Sequence, residues 1–257
     1  MSSEKFIKEK ELKKLDRELH SIIDRIGLDK KTEDEVFDKF TLLVFDKLIS
    51  QRIIDTLDFP ISTGKEGNVF RATTPDKKFV AVKIYRISTS TFKHISKYIV
   101  GDPRFKSLHK SRKDIIFAWT KKEFKNLQRL RKNNVSAPKP IIAIKNVLIM
   151  EYIGDKKGSA PLLKDVNVNN PKKVFEKIIQ DMEKMYKKAN LVHADLSAYN
   201  ILIHNNRPYF IDIGQSVLIE HPNSKEFLIR DIENISNHFR KYDIKLNKGE
   251  LFDIITK

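Results

Sequence analysis

The sequence predicts an α+β fold in two lobes, a β-rich first lobe and a short helical second lobe, with a helical extension in front of them. Three observations carry that prediction. Up to about residue 58, apolar residues recur at spacings of three and four, as on one face of a helix. From Phe59 the pattern changes to short β-prone runs broken by turn residues. After "EYIGDKKGSAPL", where glycine and small residues mark a boundary, helical periodicity returns. The expected divisions are 1–58 for the extension, 59–153 for the first lobe with a basic insert at 86–114, and 154–257 for the second lobe.

In chain order, Leu12, Leu15, Leu19, Ile22 and Ile26 form the stripe of an amphipathic helix over 4–26. A second helix starts at Thr32, whose hydroxyl can cap it while Glu35 reaches back, and runs through Val36, Phe40, Leu43, Val44 and Leu48. "NVFRAT" and "KFVAVKIY", separated by "TPDKK", read as a hairpin. A helix follows over about 112–132, then strands near "KPIIAI" and "VLIMEYI". "PKKVFEKIIQDMEKMYKKAN" opens with proline and keeps Val174, Phe175, Ile178, Ile179, Met182 and Met185 on one stripe, so it reads as a helix. Strands "ILIH" and "PYFID" bracket "NNR", whose asparagines suit a tight turn, and helices over about 223–241 and 248–256 close the chain.

Composition narrows the function. With 257 residues, 40% of them hydrophobic, the chain has enough apolar surface for a packed core although 33% is charged. No run approaches the roughly 18 apolar residues of a membrane span, and "MSSEKFIKEKELKK" carries no apolar stretch like a secretory signal. A cytoplasmic protein with no membrane partner is expected. The lack of cysteine excludes disulfides, thiolate nucleophiles and zinc sites of the usual cysteine type. A net charge of +16 attracts polyanions, nucleic acid above all. Within 86–114, eight Lys or Arg stand against two Asp, with Phe92, Tyr98 and Phe105 between them. That composition suits contact with RNA phosphates and bases, and a solvated basic loop fits the same residues.

The residues that carry chemistry fall in four places. In "STGKEGNV", Ser62, Gly64, Lys65, Glu66, Gly67 and Val69 make a glycine-containing turn between strands, where backbone amides can approach phosphates closely; a plain hairpin turn would read the same. Lys83 ends the apolar strand "VAVK", and its burial needs anionic partners such as nucleotide phosphates and a helix carboxylate. The candidate carboxylate is Glu123, which the stripe of Phe124, Leu127 and Leu130 leaves near the edge of the buried face. In "LVHADLSAYNIL", Asp195 and Asn200 stand close together, and Asp212 ends "PYFID". The two strands and turn between them bring Asn200 and Asp212 to one end of a hairpin, an oxygen-donor pair suited to magnesium, which takes one or two protein groups plus substrate phosphates. Asp195, offset from that pair, can orient or accept the proton of an attacking hydroxyl or water. His193 reads as a structural imidazole bonded to backbone.

Taken in order, STGKEG, VAVK, HADLSAYN and DIG resemble the protein kinase series of glycine loop, VAIK, HRDLxxxN and DFG, so the lobes are expected to form a bilobal protein-kinase-like fold. Ala194 replaces the arginine of HRD, Ile213 replaces the phenylalanine of DFG, and no APE triplet follows. The stretch after Asp212 is short for an activation segment and peptide platform, so the helical lobe is expected to be truncated. "STGKEGNVF", "AVKIYR", "LVHADLSAYN", "IDIGQSV" and "FLIRDIENISNHF" closely resemble the RIO atypical serine/threonine kinases, specifically the type-1 branch, over roughly 59–257.

The resemblance implies ATP with Mg2+, or Mn2+ in its place, as cofactors. It implies Asp195 as the catalytic aspartate, Asn200 and Asp212 as metal ligands, and Lys83 as the phosphate lysine partnered by Glu123. Met150 would be the gatekeeper, and the backbone of Glu151 and Ile153 would receive the adenine edge. Asp212 would also accept the phosphoryl group, giving an aspartyl phosphate that water hydrolyses. Autophosphorylation would fall on a serine among Ser88, Ser90, Ser96, Ser107 and Ser111, and the partner would be the pre-40S small ribosomal subunit and its rRNA. Gly67, Ala198 and Gly214 stand where this branch is expected to carry alanine, glutamate and serine. Gly67 should only loosen its loop, Gly214 restores the DxG pattern, and Ala198 removes a carboxylate beside the catalytic loop.

Two other classes use some of the same features. A small-molecule phosphotransferase of the antibiotic-kinase type shares the HxDxxxxN loop, but builds its substrate pocket from extra helices in the second lobe. A non-catalytic RNA-binding assembly factor would fit the charge, yet has no need of Lys83, Asp195, Asn200 and Asp212 together.

Overall fold

The computed structural model describes residues 39–64, 67–87, 95, 111–244 and 247–257. The expected helix over 4–26, the Thr32 cap with Glu35, Lys65, Glu66 and most of the basic insert lie outside the described residues. The first described helix, α1 (Lys39–Ser50), leads into strand β1 (Thr56–Thr63), followed by β2 (Gly67–Thr73) and β3 (Phe79–Tyr85). Helix α2 (Arg112–Lys132) separates them from β4 (Pro140–Ile144) and β5 (Val147–Glu151). The five strands form one antiparallel sheet in the order β1-β2-β3-β5-β4.

Strand β3, at the centre, is buried along nearly its whole length because both faces of the sheet are covered. On one face Leu42, Phe45 and Leu48 of α1 pack against Phe70, Ala72, Val82, Ile84 and Ile149. On the other, Ala81, Tyr85, Leu148 and Met150 join a larger core shared with α2 and the second lobe. Strand β1 begins at Thr56, ahead of Phe59 where the sequence pattern turns β-like. Its Asp58 and Pro60 break the alternation, and it tolerates them as an edge strand with register shifts at Leu57/Phe59 and Pro60/Ser62.

The second lobe is built on α3 (Pro171–Lys187), whose first turn is closed by Asn170 accepting from the Lys173 amide at 3.0 Å. Two small antiparallel pairs follow: β6 (Leu191–Val192) with β9 (Val217–Leu218), and the hairpin of β7 (Ile201–His204) and β8 (Arg207–Phe210). Asn205 and Asn206 turn that hairpin with φ of 50° and 57°, the left-handed pair that a two-residue turn needs. From Asp212 the chain passes through a 3-10 turn at Ile213–Gln215 and β9 directly to α4 (Ser224–Phe239), and α5 (Lys248–Thr256) packs beside α3 and α4.

Candidate active site

Lys83, at a β3 position that faces the second lobe, reaches two carboxylates. Its Nζ lies 3.0 Å from Glu123 Oε1 on α2 and 2.8 Å from Asp212 Oδ1. Burial disfavours the ammonium, but Asp212 and Glu123 outweigh that and hold its pKa above the ordinary lysine value. Glu123 is only 1% exposed, so it sits inside the core rather than near the edge of the buried face. The reason is that α2 turns Lys122, Glu123 and Asn126 inward together, while Phe124 is only half-buried. Lys122 Nζ donates to the Gly214 carbonyl at 2.9 Å and lies 4.3 Å from the centre of the Trp119 ring. Asn126 Nδ2 donates to the Ile213 carbonyl at 3.0 Å. Helix α2 therefore grips the turn after Asp212 by two side chains, Lys122 and Asn126.

The hairpin β7–β8 does bring Asn200 and Asp212 to one end, since the Ile211 amide donates to the Asn200 carbonyl at 3.0 Å. Asn200 Nδ2 donates to the Asp195 carbonyl at 2.7 Å and to its Oδ2 at 3.3 Å, which leaves Asn200 Oδ1 as the amide atom suited to a cation. Asp212 stands at φ 63°, in the left-handed region. His193 is buried and bonds the Ile211 carbonyl through Nε2 at 3.0 Å, the structural role expected of it. Burial lowers its pKa, so the imidazole is neutral at pH 7 and braces the backbone beside Asp212.

Sequence reasoning missed what holds the loop around Asp195 in place. Asp231 of α4, 1% exposed, accepts from the amides of Ala194 at 2.9 Å and Leu196 at 2.8 Å. Arg230 donates to the Ala194 carbonyl, and Asn234 Nδ2 to the Leu196 carbonyl at 3.1 Å. Ala194 itself is fully buried at φ 70°, with both its amide and its carbonyl held by α4. The one signal in the sequence is an aspartate inside the apolar run "FLIRDIENI"; its partners are backbone amides more than thirty residues earlier, which no local pattern reveals.

At the cleft, Gly64 N donates to the Gly67 carbonyl at 3.0 Å, and Ser62 is exposed on β1. Gly67 does more than loosen this loop. A Cβ there would lie 2.2 Å from the Ile84 carbonyl oxygen, so only glycine lets β2 lie this close to β3. Val69 is half-buried against the shared core, and Met150 pairs with Ala81 across β5 and β3. The Glu151 amide is engaged by the Lys139 carbonyl at 2.8 Å, and the Ile153 carbonyl by the Ala160 amide at 2.9 Å. Among the described residues no cluster of three or more His, Cys, Asp or Glu could cage a metal ion. The Asn200 and Asp212 oxygens fit a cation that draws its other ligands from water and phosphate.

A five-stranded sheet over a helical lobe, with a strand lysine paired to a helix glutamate and an Asp–Asn loop beneath it, defines the protein-kinase-like class. The RIO domain family model matches residues 68–251. The RIO-type serine/threonine-protein kinase Rio1 of Methanocaldococcus jannaschii is 43% identical over 256 residues, covering 98% of this chain and 88% of the relative. The protein of the same name from Haloferax volcanii is 42% identical over 226 residues, covering 88% and 78%. The human serine/threonine-protein kinase RIO1 is 37% identical over 233 residues, covering 89% of this chain and 41% of its own. Among solved structures, a Rio2 kinase-ADP/Mg2+-phosphoaspartate complex from Chaetomium thermophilum matches with a TM-score of 0.66 at 18% identity, covering 86% of this chain and 68% of the other. The chain belongs to the RIO family of serine/threonine kinases.

Proposed function

We propose that this kinase is an ATP- and Mg2+-dependent serine kinase and ATPase that passes through an aspartyl phosphate, the acyl phosphate of Asp212, and acts in small ribosomal subunit maturation. The observation that carries the chemistry is the Lys83 ammonium held between Glu123 and Asp212. Lys83 is thereby fixed to orient nucleotide phosphates, and Asp212 lies beside it where the transferred group would arrive. Asp195 would take the proton of the attacking hydroxyl or water, with Asn200 keeping its carboxylate oriented. Asn200 and Asp212 would hold magnesium, which supplies neutralisation of phosphate charge. With its carbonyl already bonded, Ile153 would offer its amide to the adenine edge, beside Glu151 and under Met150. The Rio2 complex supports an aspartyl phosphate, because that relative is itself a phosphoaspartate species. The divisions at 1–58, 59–153 and 154–257 belong to this reading, as do the ribosomal partner, supported by the net charge of +16, and the cytoplasm as its place.

Incubation with labelled ATP and Mg2+, with and without small ribosomal subunits, tests it. Wild type should release phosphate and carry both acid-stable and hydroxylamine-labile label. Asp212→Ala should lose both, while Asp195→Ala should accumulate the labile form because its hydrolysis is blocked. Absence of phosphate release and of either label in wild type would overturn the enzyme reading.

A further inference from the structure

Helix α2 has a second face that the phosphoryl chemistry does not use. Its exposed residues from Lys121 onward are Lys121, Lys125, Gln128, Arg129, Arg131 and Lys132, and none of the helix's exposed residues is acidic. Asp114 is half-buried under the Ser111 cap. At about 3.6 residues per turn, Lys121, Lys125 and Lys132 fall within an arc of roughly 40°, with Arg129 roughly 40° beyond it and Glu123 on the opposite side. A rise of about 1.5 Å per residue sets Lys125 roughly 6 Å beyond Lys121 and Lys132 roughly 10 Å further on. Among the described residues these four cations enter no ion pair, whereas Lys77, Lys78, Lys164, Lys177, Lys187 and Lys257 each face a carboxylate.

We propose that the outward face of α2 is a docking stripe for RNA phosphates, formed by Lys121, Lys125 and Lys132 with Arg129 beside them. A row of cations with no acid and no apolar centre suits a uniformly charged strand. A protein partner would need an apolar anchor and would select against lysine. The proposal rests on the RNA-partner reading above and locates it on a particular element. It also sets RNA against the helix whose inner face carries Glu123, Lys122 and Asn126, so the strand would lie on the back of the active site.

The test uses the full chain, a fluorescein-labelled single-stranded RNA of mixed sequence, and polyglutamate as a competing polyanion. Lys121→Gln/Lys125→Gln/Lys132→Gln is compared with Lys172→Gln/Lys173→Gln/Lys188→Gln, which removes the same charge at the two ends of α3. The α2 variant should bind RNA roughly tenfold more weakly, and its dependence of log affinity on log salt should be shallower by about 2, as loss of three phosphate contacts on a single strand requires. The α3 variant should stay close to wild type, and ATP turnover without RNA should be unchanged in both. Equal losses in the two variants would mean that net charge alone acts, and would overturn the stripe. Loss of polyglutamate binding with RNA binding intact would overturn it in favour of an acidic protein partner. Wild type that binds no RNA would remove the RNA partner itself while leaving the phosphoryl chemistry to its own test.

Discussion

Lys83 shows how one residue can carry stability and, in the proposed reaction, chemistry as well. Its ammonium compensates Glu123, which is almost wholly buried, so removing the lysine strands a carboxylate in the core. Lys83→Met should cost about 3–5 kcal/mol of unfolding free energy in urea, and adding Glu123→Gln should recover much of that loss. Nucleotide turnover should stay absent in both, which separates the fold's need for charge balance from the reaction's need for an ammonium. An additive double variant would refute the pairing as the source of the cost. Asp231 behaves differently, because burial pushes its pKa up from 3.8 to about 8, with the Leu196 and Ala194 amides pulling the other way. The folded chain therefore keeps that proton longer than the unfolded chain. Its contribution to stability is full below about pH 4 and is lost as pH rises towards 8. Asp231→Asn should flatten the fall in unfolding free energy across that window and lower turnover, since one amide oxygen cannot serve both backbone N–H groups. Identical pH slopes in the two proteins would rule this out.

At the scale of elements, the β2–β3 hairpin is set by the missing side chain of Gly67. A Cβ there would meet the Ile84 carbonyl at 2.2 Å and the Tyr85 Cα at 3.1 Å, so the strands would have to part at the Gly67 end of β2. Gly67→Ala should destabilise by about 1–3 kcal/mol and raise the KM for ATP more than it lowers kcat. Gly158→Ala, where an added Cβ meets nothing within 4 Å, is the control that should leave the KM unchanged. Elements of this kind were unevenly legible in the sequence. Helices α2 and α3 could be read because long apolar stripes, a proline start and polar caps agree with one another. Strand β1 could not be delimited, since Asp58 and Pro60 interrupt its alternation and only its edge position makes them tolerable. Strands β6 and β9 are two residues each, too short to have a period. The site followed the same rule. Lys83, Asp195, Asn200 and Asp212 stood out as a spaced set, whereas the inward turn of Glu123 and the clamp by Asp231 arise from contacts between distant segments.

At the scale of the molecule, the two lobes share one interior. A single apolar cluster runs from Ala81, Leu148 and Met150 in the sheet, through Trp119 and Leu127 of α2, to Ile178, Leu196, Phe210 and Ile235 in the second lobe. The segment after α2 is stitched into that lobe as well, with the Ser136 amide donating to Asp181 at 3.3 Å and the Phe210 amide to the Ser136 carbonyl at 2.8 Å. Helix α2 is thus fastened to the second lobe at its C-terminal end and at the turn after Asp212, and to the sheet through Glu123 and Lys83. Pulling either lobe away would expose the core of the other, so the described body should unfold as one cooperative unit despite its length. Trp119, the sole tryptophan, is fully buried at that junction and reports on it directly. Its fluorescence and the far-ultraviolet ellipticity should change with the same urea midpoint and the same slope. A fluorescence transition that precedes the loss of helix would mean that the sheet and α2 detach first, and that the lobes are joined by the site's ion pairs rather than by a common core.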